Sequence, residues 1–288
     1  METSEVTGVR LLFIGDIVGN PGRKIVKRAM RGLIAQEKLD LVVANGENSA
    51  AGSGITPDIH RELIEAGVDC ITLGDHIYKR REIMQTLESE KNIVKPANFP
   101  PKSPGKEYAL VTARDGTQVA VVSLLGRVFM RPADCPWAAI ERVLAKLPRD
   151  VKTIFVDFHA EATSDKQVMG RYLDGRVSAV LGTHTHVPTA DEEIYPGGTA
   201  FQCDVGMTGP YKSILGREIS RVMETTLSFT PTQFDVALDD VRMCGSIVDI
   251  DSKTGRATAI RRIRIDMAEA DRLAATVNSA AVATPRAL

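Results

Sequence analysis

An α/β protein built on a largely parallel sheet is what this sequence predicts, and three observations predict it. Short apolar, β-rich runs alternate through the first half of the chain with stretches whose apolar residues recur at helical spacing. The acids Asp16, Glu47 and Asp75, each just past such a run, are 31 and 28 residues apart, about one strand-helix-strand unit of roughly 30 residues in each case. Four of the five histidines also stand where an extended apolar run ends.

Taken in order, Leu11-Leu12-Phe13-Ile14 is the first strand and leads to Asp16. Asn20-Pro21 opens a helix, with Asn as cap and Pro at the first helical position, and Ile25, Val26, Ala29, Met30, Leu33 and Ile34 form its apolar stripe. Lys24, Lys27, Arg28 and Arg31 fall mostly on the other side and read as solvated surface. Leu41-Val42-Val43 is a second strand, leading to Glu47. A helix runs from Thr56-Pro57 to Gly67 with Ile59, Leu63 and Ile64 inward and His60 structural. The run Cys70-Ile71-Thr72-Leu73 precedes Gly74-Asp75-His76, and a third helix is expected over Lys79 to Leu87.

A Pro-rich loop from Asn98 to Gly105 precedes strands Tyr108 to Thr112 and Gln118 to Leu124, joined by the hairpin signal Asp115-Gly116. A helix over Trp137 to Leu147, a strand Thr153 to Phe158, a helix Lys166 to Leu173 and a strand Ser178 to Leu181 follow. Beyond His186 the chain turns β-rich, with strands expected at Thr199 to Gln202, Phe234 to Ala237, Gly245 to Ile250 and Ala257 to Ile265. The residues Asp251-Ser252-Lys253-Thr254-Gly255 turn the chain between the last two. These elements suggest one domain over 9–270, a disordered N-terminus at 1–8 and a frayed tail at 271–288.

Composition narrows the function. With 36 Lys plus Arg against 37 Asp plus Glu, there is no global charge to draw nucleic acid or an anionic membrane. Any phosphate affinity must be local. Cys70, Cys135, Cys203 and Cys244 form no CxxC pair, the N-terminus lacks the apolar stretch of a signal peptide, and no segment approaches the roughly 20 apolar residues of a membrane span. A reducing cytoplasm is the simplest location.

The chemistry-bearing residues gather at predicted strand ends, where functional groups of open α/β sheets collect. They are Asp16, Glu47, Asp75-His76, His159 and His184-Thr185-His186. Residues two apart in extended chain point to the same side, so His184 and His186 could converge on one metal. Mixed carboxylate and imidazole donors suit Mn, Fe or Zn, and the number here exceeds what a four-coordinate zinc needs. Two ions bridged by a carboxylate could hold a hydroxide in line with a phosphorus centre, while Asp75 and His76 could supply a ligand and an acid.

Gly15-Asp16-Ile17-Val18-Gly19, Asn45-Gly46-Glu47-Asn48, Gly74-Asp75-His76, Asp157-Phe158-His159-Ala160-Glu161-Ala162-Thr163 and Gly182-Thr183-His184-Thr185-His186-Val187 together resemble the YmdB-like branch of the calcineurin-type metallophosphoesterases. Segments from Lys95 to Pro100, Gly126 to Met130 and Asp204 to Pro210 are similar to further parts of that branch. The resemblance implies a four-layer α/β/β/α sandwich of two mixed sheets, a dinuclear centre, often iron, and hydrolysis of phosphodiesters such as 2′,3′-cyclic nucleotides. It implies one metal on Asp16, Glu47, Asn48 and His186, a second sharing Glu47 and taking Asp75, His159 and His184, and His76 as proton donor. Asn98, Arg127, Phe129 and Lys79 are candidate substrate-pocket residues.

One position departs from the branch, which usually carries Asn before the catalytic His where this chain has Asp75. Two divalent ions, two carboxylates and a hydroxide sum to roughly +1, and an ionised Asp75 lowers that to roughly zero. The expectation is weaker attraction for an anionic substrate, or a more positive, mixed-valence metal pair. Phosphomonoesterase or nucleotidase activity on the same metal core, and a regulatory metal protein with little turnover, are the competing functions.

Overall fold

The computed structural model describes residues 8–282, with side chains described through residue 277. Within them β1 (Gly8–Ile14), α1 (Gly19–Glu37), β2 (Leu41–Asn45), α2 (Pro57–Ala66), β3 (Cys70–Thr72) and α3 (Ile83–Ser89) follow in order. Next come β4 (Tyr108–Thr112), β5 (Gln118–Leu125), α4 (Pro136–Lys146), β6 (Thr153–His159), α5 (Thr163–Tyr172) and β7 (Ala179–Thr183). The chain ends with β8 (Glu193–Ile194), β9 (Ala200–Gln202), β10 (Gly209–Pro210), α6 (Ile219–Ser228), β11 (Val241–Asp251), β12 (Ala257–Asp266) and α7 (Met267–Val282).

The strands form two six-stranded mixed sheets, one ordered β10-β11-β1-β2-β3 with β12 also on β11, the other β4-β5-β6-β7-β9-β8. In the first, β1, β2 and β3 are parallel neighbours, and in the second β5, β6, β7 and β9 are. Both sheets are therefore mixed, the antiparallel strands being added by the C-terminal β11 and β12 and by the short β4 and β8. A layer containing Phe13, Val43, Val121 and Phe155 fills the space between the sheets, with the Phe13 and Phe155 rings 4.8 Å apart. Helices α1 and α2 cover the outer face of the first sheet, and α4 and α5 that of the second. This is the four-layer α/β/β/α sandwich, with alternating side chains of each strand serving two different cores.

Local signals explain some element ends. Thr56 caps α2, its hydroxyl accepting from Ile59 N, and Gly67 closes the helix at φ +113. Gly116, at φ +91, turns the β4–β5 hairpin. Asn20, expected to cap α1, instead lies inside it: the helix begins at Gly19 after an extended Val18, with no side-chain cap. The expected start of α3 at Lys79 is also too early, because residues 74 to 80 form turns, with Ile77 N on Gly74 O and Lys79 N on His76 O.

The C-terminal half departs further. Phe234–Ala237 forms no strand beyond a single bridge of Val236 to Arg217, and α6 was not foreseen; it packs no buried residue of its own, so no inward stripe marked it. Of the tail expected to fray from 271, the described part, through residue 282, belongs to helix α7. Asp266 Oδ1 accepts from Glu269 N at 2.8 Å at its start, Ala270 and Leu273 are buried, and Arg28 bonds Asp271 at 2.7 Å. Gly32 lets α1 approach this helix closely, since a Cβ there would lie 2.1 Å from Leu273 O. Gly8 already belongs to β1, while the expectations for 1–7 and 283–288 lie outside the described residues. Among the described residues no helix is long and apolar enough to cross a membrane.

Candidate metal centre

Parallel neighbours carry their loops to the same end, so Asp16, Glu47 and Asp75 follow β1, β2 and β3 side by side, and His159 and His184 follow from β6 and β7 of the facing sheet. The two sheets are tied together just beneath. Asp157, fully buried on β6, accepts from Thr72 Oγ1 at 2.6 Å, Thr183 Oγ1 at 2.6 Å and Asn45 Nδ2 at 3.0 Å. Burial lifts its carboxyl to about 6, against the opposing pull of His159 and those three hydrogen bonds.

Above this node, donor atoms of Glu47, Asp75, His159 and His184 all lie within 4.8 Å of one another. His159 Nε2 is 3.2 Å from Glu47 Oε1 and 3.2 Å from Asp75 Oδ1, and His184 Nδ1 is 3.0 Å from His159 Nε2. Metal bonds of about 2.1 Å set neighbouring donors roughly 3 Å apart, so these spacings suit one ion. A Cβ on Gly74 would sit 2.3 Å from His159 Nε2 and 2.4 Å from Glu47 Oε2, so only glycine leaves this space open.

Asp16, Asn48 and His186 adjoin it. His186 Nε2 lies 3.8 Å from Asp16 Oδ1 and 3.3 Å from Asn48 Nδ2, and Asn48 Nδ2 is 3.2 Å from Glu47 Oε1. Asp16 is fully buried; its Oδ2 accepts from His184 N at 3.1 Å, but Oδ1 has no hydrogen-bond partner. An orphaned buried carboxylate oxygen facing an imidazole nitrogen and shared acids fits a bound cation.

The outer nitrogen of each of these three histidines faces an acceptor, so each would present a lone pair to a cation bound in this cluster. The hydroxyl proton of Thr183 goes to Asp157, so that oxygen accepts from His159 Nδ1 at 2.9 Å. His184 Nε2 faces Glu161 Oε2 at 3.0 Å, and His186 Nδ1 faces the carbonyl of Leu215 at 3.1 Å. Such outer partners fix the tautomer of metal-binding imidazoles.

The crowded acids and imidazoles shift one another's pKa values, and burial, with His159 next, lowers that of His184. Burial would lower the His159 pKa, yet Glu47, Asp75 and Asp16 raise it well above the ordinary value. Burial lifts Asp16, with Glu47 and Asp204 adding to it. Burial opposes ionisation of Glu47 and Asp75 as well, but the surrounding histidines, His159 foremost, pull both below the usual carboxylate range.

The link between His184 and His186 is not extended. Both have left-handed backbone, at φ +96 and +65, each at a cost of about 1–3 kcal/mol for a residue other than glycine. This overturns the same-side geometry expected of extended chain: one imidazole meets His159 and Asp75, the other Asp16 and Asn48. His76, 33% exposed, stands at the opening, its Nδ1 2.7 Å from Asn48 Oδ1 and its backbone N–H on Glu47 Oε2.

The pocket candidates divide. Asn98 is fully buried, its amide donating to Leu125 O and Asp134 O and accepting from Leu125 N, so it braces the end of β5 and both its protons are engaged. Arg127 is exposed and lies over the Trp137 ring at 6.0 Å. Phe129 is 89% exposed at φ +61, in a loop pinned by Asp165 Oδ2, which accepts from Arg127 N and Val128 N. Lys79 is exposed. Sequence reasoning passed over Thr183, Asp157, Asn45, Glu161 and Asp204 as working residues, although all lie in the motif segments quoted for the resemblance.

Comparison with known proteins agrees with this architecture. The profile of a family described as YmdB-like protein matches residues 12–263. A Bacillus subtilis (strain 168) protein named 2′,3′-cyclic-nucleotide 2′-phosphodiesterase is 45% identical over 90% of this chain and 97% of its own. Two crystal structures are similar. A hypothetical protein of Thermus thermophilus is 41% identical at TM-score 0.83, covering 90% of this chain and 99% of that one. The other, a Mycoplasma pneumoniae protein titled a novel phosphatase, is 30% identical at TM-score 0.84, covering 90% and 94%.

Proposed function

Because the chain belongs to the YmdB-like protein family, we propose that it is a metal-dependent phosphodiesterase whose substrates include 2′,3′-cyclic nucleotides. The observation that carries this reading is the set of three imidazoles, each with its outer nitrogen engaged and its inner nitrogen aimed at a buried carboxylate cluster. Asp16, Asn48, His186 and shared Glu47 would hold one ion, and Glu47, Asp75, His159 and His184 the other. Bound there, such ions act as Lewis acids on a phosphoryl oxygen and lower the pKa of water. Iron is our leading candidate, with manganese and zinc able to use the same donors.

The remaining steps fall to the chain itself. Turning the Asn48 amide by half a revolution exchanges two ends of nearly equal size. Its Oδ1 would then face the donor cluster and its Nδ2 would donate to His76 Nδ1, 2.7 Å from the present Oδ1. That leaves the His76 proton on Nε2, the atom from which we propose it passes to the leaving ribose oxygen. Arg127 and Phe129 are proposed to meet the substrate, the outward aromatic held by its anchored loop supporting that role. All four cysteines are unpaired, which supports a reducing, cytoplasmic setting.

The test is turnover of a 2′,3′-cyclic nucleotide by the metal-loaded protein, with bis-p-nitrophenyl phosphate and p-nitrophenyl phosphate compared in parallel. Diester cleavage should exceed monoester cleavage, and His76→Ala should lose roughly 10²–10⁴-fold in turnover while keeping its metals. A loaded wild type that cleaves no phosphoester would refute the enzyme reading in favour of a metal-binding regulator.

A further inference from the structure

Thr185, between the two left-handed histidines, is held from below. The Asp204 carboxylate accepts at Oδ2 from Thr185 N at 3.0 Å, Thr185 Oγ1 at 2.8 Å and Lys166 Nζ at 2.7 Å, and at Oδ1 from Gly206 N at 2.8 Å. Asp204 follows β9 and Lys166 lies on α5, each about 1% exposed. Four donors thus converge on one buried carboxylate outside the proposed ligand set.

We propose that the Lys166–Asp204 pair is a positioning device that clamps Thr185 and thereby sends His184 and His186 into separate ion sites. The inference rests on the two-metal reading of the preceding section. Desolvation offsets most of the Coulomb attraction of so deep an ion pair, so simple stabilisation accounts for it poorly. Geometry accounts for it better. Residues two apart in relaxed extended chain point to one side, so a divergent pair of imidazoles needs its intervening residue fixed, and Thr185 is fixed through both its N–H and its hydroxyl. Lys166 Nζ holds the accepting oxygen in place with a charge-assisted hydrogen bond, while Gly206 N anchors the other oxygen.

The experiment measures Mn²⁺ binding to the full chain by calorimetry, and exchange coupling between the two ions by electron paramagnetic resonance. The proteins are wild type, Thr185→Val, Thr185→Ser and Asp204→Asn. Thr185→Val keeps shape and N–H but loses the hydroxyl, so it should fold normally by circular dichroism. It should bind at least one ion about 10–100-fold more weakly and replace the coupled signal with that of isolated Mn²⁺. Thr185→Ser should restore both readouts, and Asp204→Asn should exceed the Thr185→Val effect; if it does not fold, Thr185→Val alone decides. Two ions bound at wild-type affinity with the coupled signal intact in Thr185→Val would overturn this inference alone. A wild type binding fewer than two ions would overturn both it and the phosphodiesterase reading.

Discussion

Replacing Thr183 by Val removes one hydroxyl and little else, yet that hydroxyl is the shortest bridge between His159 Nδ1 and Asp157, and all three residues are fully buried. Two groups lose a partner. His159 Nδ1 is left as an unsatisfied buried donor, which costs about 1–3 kcal/mol. The carboxylate loses one of three hydrogen bonds, but its penalty has a ceiling: with its pKa near 6, taking up a proton at pH 7 costs about 1.4 kcal/mol. The expected loss is therefore about 1–4 kcal/mol, measured by urea unfolding of the metal-free protein at pH 7. Thr183→Ser retains the hydroxyl and gives up only a methyl group, so it should lose about 1 kcal/mol. Because the Thr183 hydroxyl also sets the His159 tautomer, the Val variant should bind metal about 10–100-fold more weakly. Equal stability in the Val and Ser variants, or a Val variant within about 0.5 kcal/mol of wild type, would show that the hydroxyl bridge does not hold the node.

Two further substitutions address packing and charge. Gly32→Ala should separate α1 from α7, since its Cβ would meet Leu273 O at 2.1 Å; we expect a loss of about 1–3 kcal/mol and faster amide exchange in α7, and an unchanged melting temperature would refute that packing. Asp75→Asn removes a carboxylate 3.2 Å from His159 Nε2, so the bound centre should gain about one positive charge, lowering KM for an anionic diester and altering metal content or valence. Unchanged metal occupancy and rate would show that Asp75 is an oxygen donor and nothing more.

How far the site could be read in advance depended on what each residue needs. Asp16, Glu47 and Asp75 were legible because a strand-helix unit has a nearly constant length, so acids at that interval land together on neighbouring parallel strands. His159 and His184 were legible as strand-end residues of the same kind. Asn98 was expected at the substrate pocket, and its amide is bonded to the backbone at Leu125 and Asp134, a use that sequence does not distinguish from meeting a ligand. Helix α6, with no buried face, and the α7 docking made through Gly32 lacked an early signal for the same reason: both depend on what lies opposite in space.

The sequence by itself determined the alternation of strands and helices, the parallel β1-β2-β3 order and the identity of the donor atoms, because hydrophobic period and residue chemistry are local properties. Tertiary structure alone decided how those donors are used. It joined two sheets through Asp157, Thr72, Thr183 and Asn45, turned the outer nitrogen of each imidazole onto an acceptor, and split His184 from His186 through left-handed backbone held at Thr185. Each of these is a contact between segments far apart in the chain, whose free energy depends on burial and direction, and neither quantity exists until the two sheets have packed.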